Sequence, residues 1–320
     1  MSDKSNNQGR AYEYAWIHAL FSELVKTKQV SIVDNSSYQA NKKAWGSDSI
    51  TDSIRETFQI SATAAVCTIL ELEPLMLDGA DELLLIAQKD DKGFSGDVRD
   101  IVIKQENIEW EVGLSVKHNH EAVKHSRLSH KLDFGKEWFG IPCSEQYWLD
   151  INPVFDMLKA EKKKNTKFSE LTDKEGQVYV PLLQAFIKEV NRAYSSDTSV
   201  ARRMIEYLIG KTDYYKVISR DSKKLTLIRT FNLHGTLNKP SSVKVSAITV
   251  PVVTLPTRIV ALQMKPDSNT TVEMYLDNGW QLSFRIHNAE DKISPTLKFD
   301  IQFIGMPPEV TSIECRWDKK

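Results

Sequence analysis

The sequence is poor in cysteine and has no long apolar run. Its three cysteines, Cys67, Cys143 and Cys315, lie far apart without a CxxC pair, which argues against a disulfide framework and a structural zinc site. No stretch approaches the roughly 18 to 20 apolar residues of a membrane helix. The opening residues, MSDKSNNQGR, lack the apolar core of a secretion signal. We therefore expect a cytoplasmic protein with no membrane partner.

An overall excess of basic residues is also absent. The 320 residues include 42 Lys and Arg against 43 Asp and Glu, and the net charge of -1 differs from the basic character of many nucleic-acid-binding proteins. The charges are nevertheless segregated along the chain. Residues 71–91 contain seven acids and one lysine, whereas residues 202–229 contain eight bases and three acids. Such segregation permits a local positive surface on a neutral protein.

The hydrophobic pattern changes from helical to strand-like along the chain. Helical periodicity covers residues 11–26, resumes after Ser49, and returns at 181–194 and 200–208. Beyond residue 210 the pattern is that of strands, at 213–218, 225–231, 242–253, 258–264, 270–276, 281–287 and 296–303. We therefore predict an α/β (α+β) protein with two domains, an α/β domain over residues 1–210 and a β-rich domain over residues 211–320.

A β-hairpin is predicted within the first domain. A β-branched run opens at Ile101, and residues 108–116 alternate strictly between apolar and polar. The polar face of the second strand would carry Glu111, Gly113, Ser115 and Lys117. Because Asp100 begins the first strand, the hairpin can bring its carboxylate to the ammonium of Lys117. We predict that Asp100 holds Mg²⁺ and that Lys117 orients a water for phosphodiester hydrolysis.

This arrangement resembles the PD-(D/E)xK nucleases, in which an Asp is followed on the next strand by an acid-x-Lys triplet. Here the triplet begins with Ser115, and a hydroxyl is a much poorer magnesium ligand than a carboxylate. Glu121 is the first candidate to supply the missing acid, and Asp97 is the second. Glu111 would lie about 13 Å from Ser115, at roughly 3.3 Å per residue. The alternative is structural, with Asp100 capping a turn and a solvated lysine at 117.

Residues 117–131 contain four bases and four of the seven histidines. We predict a helix from Asn119 to Lys131 whose positive dipole end faces phosphate groups. The predicted DNA contacts in this segment are His118, His120, Lys124, His125 and Arg127. Two alternatives remain open. One is a zinc site built from three of these histidines, although no HExxH motif is present, and the other is a merely solvated basic helix.

Two further segments contain candidate site residues. Glu13 lies in the first turn of the first predicted helix, where an acid also interacts favourably with the helix dipole. Near the end of a predicted strand, Arg285, His287 and Asn288 could read bases, since Arg suits guanine and Asn suits adenine in the major groove. A structural arginine and a capped turn are the alternative for this second segment.

Five blocks, spread over nearly the full chain, resemble the HaeIII family of type II restriction endonucleases. They are NQGRAYEYAW (7–16), YQANKKAW (38–45), GDVRDIVI (96–103), GLSVKHNHEAVKHSRLS (113–129) and NGWQLSFRIHNA (278–289). The resemblance implies cleavage of DNA within GGCC, a PD-(D/E)xK core with a mixed sheet flanked by helices, Mg²⁺ dependence and a companion DNA methyltransferase. It supports Asp100 and Lys117 as the active-site pair, puts Glu13 at a helix-borne acid position, and suggests that Glu121 belongs to the site.

We therefore predict a Mg²⁺-dependent endonuclease that cuts double-stranded DNA at a short site and leaves 5'-phosphate ends. The predicted catalytic set is Asp100, Lys117, Glu121 and Ser115, and the candidate metal ligands are Asp100, Glu121, Asp97 and Glu13. A palindromic target would favour a homodimer, with a monomer that nicks each strand in turn as the alternative. The rival functions are a DNA-binding protein without cleavage activity, a zinc-dependent hydrolase, and an enzyme of RNA or modified DNA.

Overall fold

The computed structural model describes residues 2–78, 81–89, 96–121, 123–124, 126–242 and 244–317. Its helices are α1 (Ser2–Leu24), α2 (Ser36–Trp45), α3 (Asp52–Leu72), α4 (Phe134–Phe139), α5 (Glu145–Lys163), α6 (Val180–Ser196) and α7 (Val200–Ile209). Its strands are β1 (Val30–Ile32), β2 (Leu83–Ala87), β3 (Ile101–Gln105), β4 (Trp110–His118), β5 (Arg127–Ser129), β6 (Tyr214–Arg220), β7 (Leu225–Phe231), β8 (Ile259–Met264), β9 (Thr271–Leu276), β10 (Gln281–His287), β11 (Thr296–Gly305) and β12 (Ser312–Arg316). Within these ranges no helix is both long and apolar enough to cross a bilayer.

The chain forms two compact units that alternate along the sequence. The first unit comprises residues 1–121, 211–253 and 308–320, and the second comprises residues 122–210 and 254–307. This division differs from the predicted boundary at 210. The reason is that β6, β7 and β12 pair with strands from the first part of the chain, whereas β8 to β11 form a separate sheet with β5.

The first unit is built on a mixed seven-stranded sheet with the order β1-β2-β3-β4-β6-β7-β12. The pairs β1–β2 and β4–β6 are parallel, and the remaining neighbours are antiparallel. The parallel pairing of β4 with β6 joins segments about 100 residues apart, with Ser115 aligned to Lys216. A mixed sheet with flanking helices agrees with the fold class predicted from the sequence.

Helices α1 and α3 pack against one face of this sheet, where they contact β4 and β7. Their large side chains, among them Trp16 and Phe58, are fully buried in one core with Leu114 and Val116 of β4. Helix α3 begins where the side chain of Thr51 accepts a hydrogen bond from a backbone N–H of the first turn. Because the apolar residues of β4 all face these helices, its polar residues lie on the opposite face.

The second unit combines a five-stranded antiparallel sheet with helices α4 to α7. The strand order is β5-β11-β10-β9-β8. Its core contains a cluster of aromatic rings in mutual contact, contributed by Phe134, Trp138, Phe186, Phe284 and Phe299. The other face of this sheet carries polar and charged side chains, as the alternation of buried and exposed residues along β10 indicates.

The predicted helix over 119–131 is wrong for the residues that the structure describes. Asn119 has a positive φ of 52°, and β5 (Arg127–Ser129) lies within the range of the predicted helix. The backbone N–H of Val123 donates to the carbonyl of Ile301, and the N–H of Phe299 donates to the carbonyl of Ser126. Pairing with β11 therefore uses backbone groups that a helix would have needed, and local periodicity does not reveal this non-local contact.

The structure confirms some of the other helices and strands predicted from the sequence and lacks one of them. The hairpin is confirmed as β3 and β4, and α1, α6 and α7 are confirmed, although α1 begins earlier than predicted. The strand predicted over 242–253 is absent from the described part of that range. Helix α5 lies outside the predicted elements, and it contains Pro153, a residue that usually breaks a helix.

Gly113 is required by the packing of Arg99 across the β3–β4 hairpin. A Cβ atom at position 113 would lie 1.9 Å from Cδ of Arg99, which is far inside van der Waals contact. The guanidinium of Arg99 in turn donates to Asp97 at 2.8 Å and to Glu111 at 2.7 Å. The glycine therefore leaves room for an arginine that ties the two strands together at the start of the hairpin.

We expect Gly113→Ala to lower the free energy of unfolding by about 1 to 3 kcal/mol, because Arg99 must leave its place and its ion pairs are disturbed. Urea unfolding of the purified variant measures this effect. Gly9→Ala is the matched control, since nothing lies within 4 Å of a Cβ at position 9 of α1. Helix propensity predicts that the control is stabilised by about 0.5 to 1 kcal/mol. An unchanged stability for Gly113→Ala would contradict the packing argument.

Candidate active site

The β3–β4 hairpin brings Asp100 and Lys117 into direct contact. The backbone N–H of Asp100 donates to the carbonyl of Leu114 at 2.8 Å, and Leu114 is also the residue aligned with Ile101, so Asp100 lies at the end of the β3–β4 pairing, next to Ser115. Oδ2 of Asp100 accepts hydrogen bonds from Nζ of Lys117 at 3.0 Å, from the backbone N–H of Val116 at 2.6 Å and from Oγ of Ser115 at 3.3 Å. The predicted pair is thus assembled by strand pairing alone.

The Asp100–Lys117 pair is accessible to solvent. The side chain of Asp100 is 22% exposed and that of Lys117 is 33% exposed. All three donors reach the same oxygen, Oδ2, and among the described residues none donates to Oδ1. A ligand that approaches from solvent can therefore reach both the carboxylate and the ammonium.

A row of polar side chains extends from this pair across four neighbouring strands. Ser115 is aligned with Lys216 of β6, and Lys216 is aligned with Arg229 of β7. Aligned residues point to the same face of a sheet, so Asp100, Ser115, Lys216 and Arg229 share the face opposite the helices. Ser115 and Lys216 are both buried. The sheet therefore carries two basic side chains on the same face as the carboxylate, Lys216 nearer to it and Arg229 one strand further away.

Lys216 is a buried lysine in a charged environment. Its Nζ donates to the backbone carbonyl of Glu121 at 3.2 Å. Burial lowers the pKa of Lys216 to about 7, and the positive charges of Lys117 and Arg229 act in the same direction. The carboxylates of Glu121 and Asp100 act against this shift. The ammonium form is therefore costly in the folded protein at neutral pH.

Glu121 lies between two arginines. Its carboxylate forms an ion pair with Arg220 and another with Nη2 of Arg229 at 3.0 Å. Burial on its own would raise the pKa of Glu121, but the guanidinium groups of Arg229 and Arg220 outweigh it and hold the pKa below its usual value. In this structure Glu121 is therefore a carboxylate that is neutralised by arginine.

The structure does not gather the four predicted metal ligands into one cluster. The carboxylate of Asp97 accepts hydrogen bonds from Arg99 at 2.8 Å and from Gln88 at 2.7 Å. Glu13 of α1 accepts one from Nδ2 of Asn41 at 3.0 Å. Among the described residues, no group of three or more His, Cys, Asp or Glu side chains is arranged to hold a metal ion. Glu121, the first candidate for the missing acid, and Asp97, the second, are engaged by arginines, and Glu13 accepts from Asn41, so none of the three joins Asp100 in such a cluster.

The predicted DNA contacts near the hairpin have different surroundings. Nε2 of His118 lies 2.8 Å from Oδ2 of Asp221, and its ring lies 4.7 Å from that of Phe58, so this side chain is held from two sides. His120 is exposed. His125 lies outside the described residues. The alternative zinc site therefore has no support from His118 and His120, the two of its three histidines that the structure describes.

In the second unit, Lys124 is packed against Tyr207. Its Nζ lies 3.6 Å from the centre of the ring and donates to the backbone carbonyl of Tyr207 at 3.1 Å. Burial lowers the pKa of Lys124 to about 8, and the nearby Glu137 opposes this shift. This lysine is therefore engaged in packing within its own unit.

Other predicted contacts meet on the polar face of the second sheet. Arg127 of β5 is aligned with Lys298 of β11, and Lys298 is aligned with His287 of β10, so these three side chains form a row. Arg285, whose side chain is 59% exposed, lies on the same face. Asn288 differs, because its side-chain amide donates to the backbone carbonyls of Glu290 and Lys292 and so fixes a turn.

Comparison with known proteins decides the family. The family model for the HaeIII restriction endonuclease matches residues 9–307. The chain belongs to this family. A relative, the Type II restriction enzyme HaeIII of Haemophilus aegyptius, is 49% identical over 320 residues, which cover 100% of both chains. No solved structure matches the chain. As a member of the HaeIII restriction endonuclease family, the protein is a type II restriction enzyme, a site-specific deoxyribonuclease that cleaves double-stranded DNA.

Sequence reasoning missed the contribution of β6 and β7 to this endonuclease. Lys216, Arg220 and Arg229 lie about 100 residues from the hairpin in sequence, and they reach Glu121 only because β4 pairs with β6. One local signal was available. Lys216 interrupts a strand whose neighbouring residues are all apolar or aromatic, YYKVI, and a charged residue in such a run is often there for a specific reason.

We expect Lys216→Met to raise the free energy of unfolding at pH 6 by about 2 to 4 kcal/mol, because it removes a buried ammonium. The folded pKa of Lys216 is about 7 and its ordinary value is 10.5. Between these values the unfolded chain binds the extra proton, so the stability of the natural protein rises with pH and the advantage of the variant shrinks.

Urea unfolding from pH 6 to pH 9.5, with EDTA present, measures this difference. Lys104→Met is the matched control, because Lys104 lies on β3 with its side chain 39% exposed. We expect the control to change stability little at any pH. A Lys216→Met variant that is less stable than the natural protein at pH 6 would show that the buried ammonium is favourable.

Proposed function

We propose that this endonuclease cleaves DNA at the Asp100–Lys117 pair, with a Mg²⁺ ion held by Asp100. The observation that carries the proposal is the 3.0 Å contact between a carboxylate and an ammonium, which lies at the end of the paired strands β3 and β4 and is accessible to solvent. Phosphodiester hydrolysis needs both a metal-binding carboxylate and a group that orients water, and this pair supplies them.

The donor set fits a single hard cation. Mg²⁺ in proteins is usually held by one or two carboxylates, with water and substrate phosphate oxygens as the remaining ligands. Asp100 offers a carboxylate whose Oδ1 faces no donor among the described residues, and Ser115 adds a neutral hydroxyl oxygen beside it. When bound, such an ion polarises the phosphoryl group and lowers the pKa of a bound water.

The roles of the protein side chains follow from this geometry. The backbone N–H of Val116 and the hydroxyl of Ser115 hold Asp100 in one orientation, which fixes the carboxylate before substrate arrives. Lys117 donates to the same carboxylate, at Oδ2 of Asp100, and its ammonium can also turn toward an attacking water. Attack on phosphorus with departure of the 3' oxygen leaves a 5'-phosphate and a 3'-hydroxyl. Glu121 is not a metal ligand in this scheme, because the arginines engage it.

We further propose that the polar face of the second sheet contacts DNA. The aligned cations Arg127 and Lys298 support this assignment, since cations gathered on one exposed face suit a phosphate backbone. Arg285 lies beside them and pairs with Asp300 at 3.6 Å. His287 completes the row as a hydrogen-bonding side chain, because burial lowers its pKa. The family resemblance adds GGCC as the target and a PD-(D/E)xK core as the catalytic fold. A companion methyltransferase and a homodimer on a palindromic site belong to the same proposal.

We expect Asp100→Asn and Lys117→Met each to slow cleavage at saturating DNA by at least about 100-fold, because each removes a group that acts on the reacting atoms. Both variants should still bind the target DNA, because neither substitution touches the proposed phosphate contacts of the second unit. Single-turnover cleavage and binding with Ca²⁺ in place of Mg²⁺ measure the two effects. Lys104→Met serves as the control. Normal cutting by both site variants would disprove this assignment.

We expect Arg127→Ala and Lys298→Ala to weaken DNA binding and to reduce the slope of log affinity against log salt by about 0.9 each, because each removes one phosphate contact. The cleavage rate at saturating DNA should stay near that of the natural protein. Lys188→Ala, at an exposed lysine of α6 in the same unit, is the control and should leave the slope unchanged. If Arg127→Ala and Lys298→Ala keep the salt slope of the natural protein, as the control should, this face is not part of the DNA interface.

A further inference from the structure

A polar cavity lies next to the turn between β6 and β7 in the first unit. Its volume is 350 Å³, and it is lined by Asn119, Glu121, Ile218, Arg220, Ser222 and Lys223. Two of these side chains are cationic, and the exposed Lys223 lies in the turn itself. A cavity with this lining suits an anionic group better than an apolar one.

The carboxylate of Glu121 takes the place that such an anion would have. Arg220 and Arg229 both form ion pairs with it, and Lys216 donates to the backbone carbonyl of the same residue. The Glu121 side chain is 41% exposed, whereas those of Arg220 and Arg229 are 22% and 12% exposed. The cations are therefore fixed within the protein, and the anion between them lies toward solvent.

The two guanidinium groups offer more hydrogen bonds than Glu121 uses. Nε of Arg229 is buried, and no described residue accepts a hydrogen bond from it. Arg229 contacts the carboxylate through Nη2 alone. A guanidinium matches phosphate by donating two parallel hydrogen bonds. Arg229 donates to Glu121 through one nitrogen, so its second hydrogen bond in this geometry is unused. An incoming phosphate could satisfy the remaining donor.

The distance from Asp100 indicates which phosphate would bind here. Arg229 lies three strands from Asp100 along the aligned row, through Ser115 and Lys216. At a strand spacing of about 4.8 Å, the two backbones are separated by about 14 Å. The group bound between the arginines would thus be a neighbour of the cleaved phosphate rather than the cleaved phosphate itself.

We propose that Arg220 and Arg229 form a subsite for a backbone phosphate of the DNA substrate, and that Glu121 occupies this subsite until DNA displaces it. This inference rests on the proposed function, since it assumes that DNA enters beside the Asp100–Lys117 pair. It gives Glu121 the role of a substrate mimic.

Binding of a labelled duplex that contains the target site tests the subsite, with Ca²⁺ replacing Mg²⁺ so that no DNA is cut. Glu121→Gln should lower the Kd about tenfold, because the competing carboxylate is gone. Arg220→Met and Arg229→Met should raise the Kd at least about tenfold and reduce the salt slope by about 0.9 each. Removal of Glu121 should bring little gain in the double variant Glu121→Gln/Arg220→Met, because the subsite itself is damaged.

Two controls separate the subsite from general charge effects. Glu111→Gln removes an acid from the polar face of β4, and Arg55→Met removes an arginine from α3, the helix that packs on the opposite face of the sheet. Each should change the Kd less than about twofold, and Arg55→Met should leave the salt slope unchanged. Urea unfolding confirms that each variant is folded. If Arg229→Met does not fold, the more exposed Arg220 decides the outcome.

The proposal is overturned if folded Glu121→Gln binds DNA no more tightly than the natural protein. It is also overturned if the gain persists undiminished in the double variant, or if Arg220→Met keeps the natural salt slope. These binding results are independent of cleavage. Normal cutting by the Asp100 and Lys117 variants would reject the catalytic assignment, whereas the binding measurements alone decide the subsite.

Discussion

The register of the β3–β4 pair is the constraint on which the rest of the site depends. Ile101 is aligned with Leu114, and the carboxylate of the preceding residue, Asp100, therefore lies within reach of Ser115 and Lys117. Because side chains alternate between the two faces of a strand, a slip of one residue would turn the carboxylate into the core beneath α1. The close fit of Arg99 over Gly113 secures this register at the start of the hairpin.

The same face of the sheet explains how a protein of net charge -1 can bind an anionic polymer. Strands β6 and β7 add Lys216 and Arg229 to the row that starts at Asp100, and Arg220 lies at the end of β6. Burying such cations costs free energy, which the protein partly recovers through Glu121. The positive charge is therefore concentrated where the substrate phosphates would lie.

Local patterns predicted the hairpin and the Asp100–Lys117 contact, because strict alternation determines which side chains share a face. They failed over 119–131, where helix-like composition is overridden by backbone pairing with β11. They also missed Lys216, since its alignment with Ser115 joins distant parts of the chain. The division into units also differs from the single boundary predicted at residue 210, because β6, β7 and β12 pair with strands from the first part of the chain. Non-local strand pairing is the information that periodicity does not contain.

We propose that Asp100 and the 115–117 segment surround one divalent ion. Replacing Mg²⁺ with Fe²⁺ and adding ascorbate and peroxide generates radicals that cut the protein backbone beside the bound metal. We expect cuts close to residue 100 and residues 115–117, which excess Mg²⁺ should suppress. Cuts confined to another part of the chain, with both segments intact, would contradict it.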